Sequence, residues 1–150
     1  LDRANEEEYK SALNFFSDVG VHVEFLVIDY DSPSKGLYAY ADWIDVLRSE
    51  QLQLPVSVTG LVSWSLDNPD GFELLIGAAE AVSVQLYQAS KRVDLHDNLL
   101  LAIERYDNVN ISLYCPDTRL LDYLFKKVSI NRPLYIGIFD GSSCNNPPKR

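Results

Sequence analysis

Five short apolar runs alternate along the chain with segments of helical periodicity, and this alternation constrains the fold more than any other feature. Residues 21–28 alternate and then run apolar, as in a strand buried on both faces, and Asp29-Tyr30-Asp31-Ser32-Pro33 closes the run with turn chemistry. Pro55 opens a second strand, read from Val56 through Trp64; residues 81–87, 109–114 and 134–139 give three more. Between them, Leu37, Tyr40, Ile44 and Leu47 recur at helical spacing, as do Phe72, Leu75, Ile76 and Ala79. Leu95, Leu99, Ile103 and Tyr106 form a third such set, and Leu121, Leu124, Phe125 and Val128 a fourth. Tyr9, Leu13 and Phe16 mark a further amphipathic helix that stops near Gly20, while Asp94 and Asp117 or Thr118 suit helix N-caps.

Strands that alternate with helices of about 10 to 14 residues become parallel neighbours joined by right-handed crossovers. The fold class is therefore α/β with parallel strand–helix repeats, and two architectures share that order. One is the later part of a (β/α)₈ TIM barrel, which closes only at about 250 residues. The other is an open five-stranded doubly wound flavodoxin-like sheet, which the length of 150 residues favours when taken alone. Residues 1–141 read as a single α/β domain or partial barrel, and 142–150 as a loose C-terminal tail.

Charge and composition remove whole function classes. Thirteen basic against 22 acidic residues give a net charge of -9, which repels phosphate backbones and anionic membrane surfaces, so nucleic acid is not expected as a partner. No apolar run approaches the roughly 18 to 20 residues of a membrane span. Methionine is absent even from position 1, so the chain reads as a processed product, an excised domain or an incomplete chain. In the partial-barrel case, missing N-terminal strands or self-association would complete the sheet. Cys115 and Cys144 lack CxxC spacing and a histidine cluster, so neither a metal site nor a disulfide framework is expected. The phosphate-binding, serine-hydrolase and zinc-protease motifs are all missing, and no cofactor is expected.

In either architecture chemistry belongs at the C-terminal edge of the strands, where loops vary over a fixed sheet. Asp29 and Asp31 end the first strand two residues apart, a spacing that puts both carboxylates on one face of the strand, with Cα atoms roughly 6.5 to 7 Å apart. Such a pair can divide into a proton donor and an ionised neighbour, as glycosidic cleavage requires; it can equally cap a helix or hold a cation. Trp64, at the expected end of the second strand, offers a ring for stacking on a sugar. Gln85 and Tyr87 supply polar groups to one face of the third strand, and Asp140 ends the fifth. His22 and His96 fall away from that edge.

The segment Gly20 to Pro33, with Val27-Ile28-Asp29-Tyr30-Asp31 at its close, resembles the fourth barrel strand of family 18 glycoside hydrolases, whose consensus ends D-x-D-W-E-Y-P. On that resemblance Asp29 takes the place of the penultimate acid and Asp31 that of the proton donor. Val84 to Gln88 is similar to the family's M-x-Y-D segment, with Tyr87 on the tyrosine. Val27 stands where the family has its middle acid, Asp31 is shorter than the expected Glu, and Gln88 replaces an Asp. A closer likeness, over about residues 20–90, is to the bacterial family called domain of unknown function 3142, with its I-D-F-D-like strand end and L-S-[IV]-T-x-L-x-S-W-like strand, here Val56 to Trp64. These resemblances imply a glycosidase-like barrel that hydrolyses or binds carbohydrate; the alternative is a non-catalytic glycan-binding or scaffold domain.

Overall fold

The computed structural model describes residues 22–52, 54–88, 91–92, 97–114 and 118–139, together with Glu7, Ser11, Asn14, Phe15 and Asp18 to Gly20. Its strands are β1 (Leu26–Asp29), β2 (Val56–Leu61), β3 (Ala81–Gln85), β4 (Tyr87–Gln88), β5 (Lys91–Arg92), β6 (Val109–Tyr114) and β7 (Ile136–Phe139). The helices are α1 (Leu37–Val46), α2 (Val62–Asp67), α3 (Pro69–Ala78), α4 (Asp97–Arg105) and α5 (Thr118–Lys127). A 3₁₀ turn at Ser34–Gly36 leads into α1, and a π turn at Leu47–Leu52 follows it. Glu7, Ser11, Asn14, Phe15 and Asp18 are helical, and Gly20 closes that stretch at φ 76°, a left-handed conformation that glycine adopts without a Cβ penalty.

Five strands form one parallel sheet in the order β1-β2-β3-β6-β7, curled as half a barrel, while β4 and β5 make a separate antiparallel ribbon. The expected α/β repeat is thus present. Sequence neighbours are spatial neighbours throughout the sheet, as in the successive strands of a barrel. In register, Asp29 lies beside Thr59, Thr59 beside Ser83, Gln85 beside Ser112, and Ser112 beside Gly137.

The period of two gives β1, β2, β3 and β6 an apolar side and a more polar one. Ile28, Val56, Val58, Val82, Val84, Val109, Ile111 and Leu113 are buried and share one face. They form one cluster with Leu37, Tyr40 and Ile44 of α1, Leu75 and Ile76 of α3, Leu99 and Ile103 of α4, and Leu120 and Leu124 of α5. Helices therefore cover that face. Burying a Leu or Ile side chain contributes about 1.5 to 3 kcal/mol, so this layer fixes the sheet and leaves the other face to carry polar groups.

Two expected strands end early. Residues 62–64, read as the end of the second strand, belong instead to α2, which runs on to Asp67. The chain turns helical after Leu61, and the Trp64 ring folds back over Gly60, where an added Cβ would lie 2.8 Å from the ring. The third strand stops at Gln85, and Tyr87 belongs to the ribbon instead. The first strand is also shorter than expected, since residues 22–25 precede it without strand pairing. Expectations placed on Tyr9, Leu13, Phe16, Val21, Asp94, His96, Cys115, Asp117, Asp140 and the tail 142–150 lie outside the described residues.

Candidate functional site

The polar side of the sheet is built from the residues that alternate with the core. Asp29 and Val27 come from β1, Ser57, Thr59 and Leu61 from β2, Ala81, Ser83 and Gln85 from β3, and Asn110 and Ser112 from β6. Near the C-terminal edge these side chains converge on one carboxylate. Thr59 Oγ1 donates to Asp29 Oδ1 across the β1–β2 pair. Gln85 Nε2 donates to the same oxygen at 3.3 Å from β3, two strands away, spanning a distance of about 9.5 Å between strand axes.

Two neutral donors on one carboxylate oxygen make Asp29 an oriented acceptor. The carboxylate is exposed, whereas Thr59 beneath it is buried, so the donor is fixed by the sheet and the acceptor meets solvent. An ionised carboxylate offers about four lone-pair sites. Both of these bonds fall on Oδ1, which leaves Oδ2 as the atom to which an incoming hydroxyl or amine can donate.

The row continues across the sheet. Ser83 Oγ and Ser112 Oγ share a hydrogen bond of 2.6 Å. Ser112 is buried against Gly137, where an added Cβ would stand 3.0 Å from its oxygen, so the missing side chain leaves room for the hydroxyl. Asn110 Oδ1 accepts from the Tyr135 backbone N–H at 3.2 Å and so ties the polar face to the chain entering β7.

Asp31 and Asp29 are both exposed, but β1 ends at Asp29 and Asp31 belongs to the loop that follows. Strand alternation therefore does not set the relation between the two carboxylates. Among the described residues no hydrogen bond or ion pair ties the Asp31 side chain. Trp64 departs furthest from expectation. It lies in α2, fully buried, edge-on to Tyr40 with ring centroids 5.9 Å apart, and its Nε1 donates to Ser32 O at 2.7 Å. A ring enclosed in the helix layer cannot stack on a sugar.

The structure thus brings Asp29 and Gln85 together, moves Tyr87 onto the ribbon, places Asp31 on the loop and removes Trp64 to the core; Asp140 is outside the described residues. Thr59, Ser83 and Ser112 are the site residues that sequence reasoning passed over. Their signal was present in the polar positions that alternate with apolar ones in Val56-Ser57-Val58-Thr59, Val82-Ser83-Val84-Gln85 and Val109-Asn110-Ile111-Ser112. Among the described residues no group of His, Cys, Asp and Glu could hold a metal ion, and no helix is long and apolar enough to cross a membrane. Comparison of the chain with protein-family models, curated proteins and solved structures finds no match.

Proposed function

We propose that the open face of this half-barrel sheet binds carbohydrate at its C-terminal edge, with Asp29 as the anchoring acceptor. The observation that carries the reading is the convergence of Thr59 and Gln85 on Asp29 Oδ1. A sugar presents neighbouring hydroxyls, each both donor and acceptor, and the face offers a fixed carboxylate beside a carboxamide and several hydroxyls. Hydrogen bonds to a charged group contribute about 1.5 to 3 kcal/mol each, enough for selective recognition when the carboxylate is already oriented. The likeness of the strand ends to family 18 glycosidases and to domain of unknown function 3142 supports the same ligand class.

Hydrolysis is the second reading, and the exposed, untied carboxylate of Asp31 favours it. In that version Asp31 gives a proton to the leaving glycosidic oxygen as the C–O bond breaks, water adds to the anomeric carbon and returns a proton to Asp31, and the Asp29 carboxylate faces the positive charge that develops on the sugar. Calorimetric titration and a reducing-end assay over a panel of neutral oligosaccharides test both versions. The parent is expected to bind a member of the panel, and Asp29→Asn to weaken that binding at least tenfold. Any turnover is expected to vanish in Asp31→Asn. A parent that neither binds nor cleaves any member ends the carbohydrate assignment.

A further inference from the structure

The loop that carries Asp31 is held from behind by the segment that follows the next strand. Trp64 Nε1 donates to Ser32 O at 2.7 Å, Asn68 Nδ2 donates to Ser34 O at 2.7 Å, and Ser34 Oγ donates to Asp67 Oδ2 at 3.3 Å. Tyr30, on the other side of Asp31, rests edge-on against Tyr40 at 5.4 Å, and Tyr40 rests on Trp64. Both neighbours of Asp31 are therefore fixed by one buried aromatic pair, Ser32 directly and Tyr30 through Tyr40. Inside the loop Ser32 N donates to Tyr30 O at 2.9 Å and Gly36 N to Pro33 O at 2.7 Å, which keeps the turn compact.

We propose that Trp64 and Asn68 are positioning residues that hold Asp31 at the mouth of the sheet; its bearing on ligand rests on the carbohydrate reading above. Neither residue touches the polar face. Each supplies an N–H to a loop carbonyl, and Ser32 is itself buried, so its carbonyl would lose its partner without Trp64. Asn68 has a second task, because its Oδ1 accepts from Gly71 N at 3.1 Å and so caps α3. That division of labour makes the idea separable from simple stability. Asn68→Asp keeps the capping oxygen and removes the donor to Ser34.

The test measures amide hydrogen exchange on the full chain by NMR for the parent, Asn68→Asp and Trp64→Phe. In both variants the Ser32 and Gly36 amides are expected to exchange about threefold to tenfold faster, the loss of one hydrogen bond's net contribution. In Asn68→Asp the Gly71 and β2 amides are expected to stay at parental rates, whereas Trp64→Phe also empties core space over Gly60 and is read as the acceleration at Ser32 and Gly36 beyond that of β2. Unchanged exchange at Ser32 and Gly36 in both variants overturns the proposal. Equal acceleration in β2 and β3 in Asn68→Asp also overturns it, because that marks a purely structural role. If the parent binds an oligosaccharide, the loosened variants are expected to bind or cleave it at least threefold less well; parental affinity together with a loosened loop overturns the link to the site. A parent that binds no glycan defeats the carbohydrate reading alone, since the exchange measurement needs no ligand.

Discussion

Gln85 reaches from β3 past the whole of β2 to donate to Asp29 on β1 at 3.3 Å, so one side chain bridges the two strands that flank β2 on the polar face. Thr59 occupies the strand between them and donates to the same oxygen. The candidate site is thus a property of the sheet's curvature and register, and no single loop builds it.

Thr59→Val keeps the shape and deletes one donor. The unfolding free energy is expected to fall by about 0.5 to 1.5 kcal/mol in urea titrations, with Gln85→Leu costing less because its bond is longer and more exposed. The double variant is expected to depart from additivity, since both donors serve one oxygen.

Two glycines make opposite tests of packing. At Gly60 a new Cβ would lie 2.8 Å from the Trp64 ring, and Gly60→Ala is expected to destabilise by about 1 to 3 kcal/mol. At Gly77, inside α3, nothing stands within 4 Å, so Gly77→Ala is expected to stabilise by about 0.5 to 1 kcal/mol through helix propensity. Thermal melts of the two variants should move in opposite directions.

Arg132 organises the edge of the sheet opposite the candidate site. Its Nη2 donates to the carbonyls of Ile103, Tyr106 and Val109 at 3.1, 2.8 and 2.6 Å, and Nη1 donates to Pro133 O at 2.9 Å. Three of these acceptors lie at or just beyond the end of α4 and in the first residue of β6. The planar fork cannot be copied by an ammonium, so Arg132→Lys is expected to cost about 1 to 3 kcal/mol in denaturant unfolding.

Tyr106 gives the chain a pH signature. Burial pushes its phenol above the ordinary value, the hydrogen bond to Glu73 raises it further, and Arg105, 5.1 Å from the ring, pulls it down. Because the folded chain holds this proton more tightly than the unfolded chain, the associated stability is intact below pH of about 10 and is lost as pH climbs through the folded value. Glu73→Gln is expected to bring the phenolate absorbance transition to lower pH while burial keeps it above the ordinary range. An unmoved transition would contradict the role given to Glu73.

The repeat was legible because two periods were clean. Leu37, Tyr40, Ile44 and Leu47 follow a helical spacing and are all fully buried, and the valines of β2 and β3 alternate as strand residues should. The segment around Trp64 misled because Val62-Ser63-Trp64-Ser65-Leu66 also alternates, and the pattern is silent about where pairing ends. What ends it is tertiary: the Trp64 ring needs both the space over Gly60 and the Ser32 carbonyl. Asp29 could be found from its place at a strand end, whereas the roles of Thr59 and Ser112 depend on neighbours about 25 to 30 positions away in sequence, and periodicity carries no such information.

The consecutive strand order also bears on how the chain reaches this state. Each strand docks on the one made just before it, and paired residues are separated by roughly 25 to 30 positions, so no partner has to wait for distant sequence to emerge. Assembly can then advance one unit at a time during synthesis, with the hydroxyl of Thr59 and the carboxamide of Gln85 reaching Asp29 before β6 and β7 have been made.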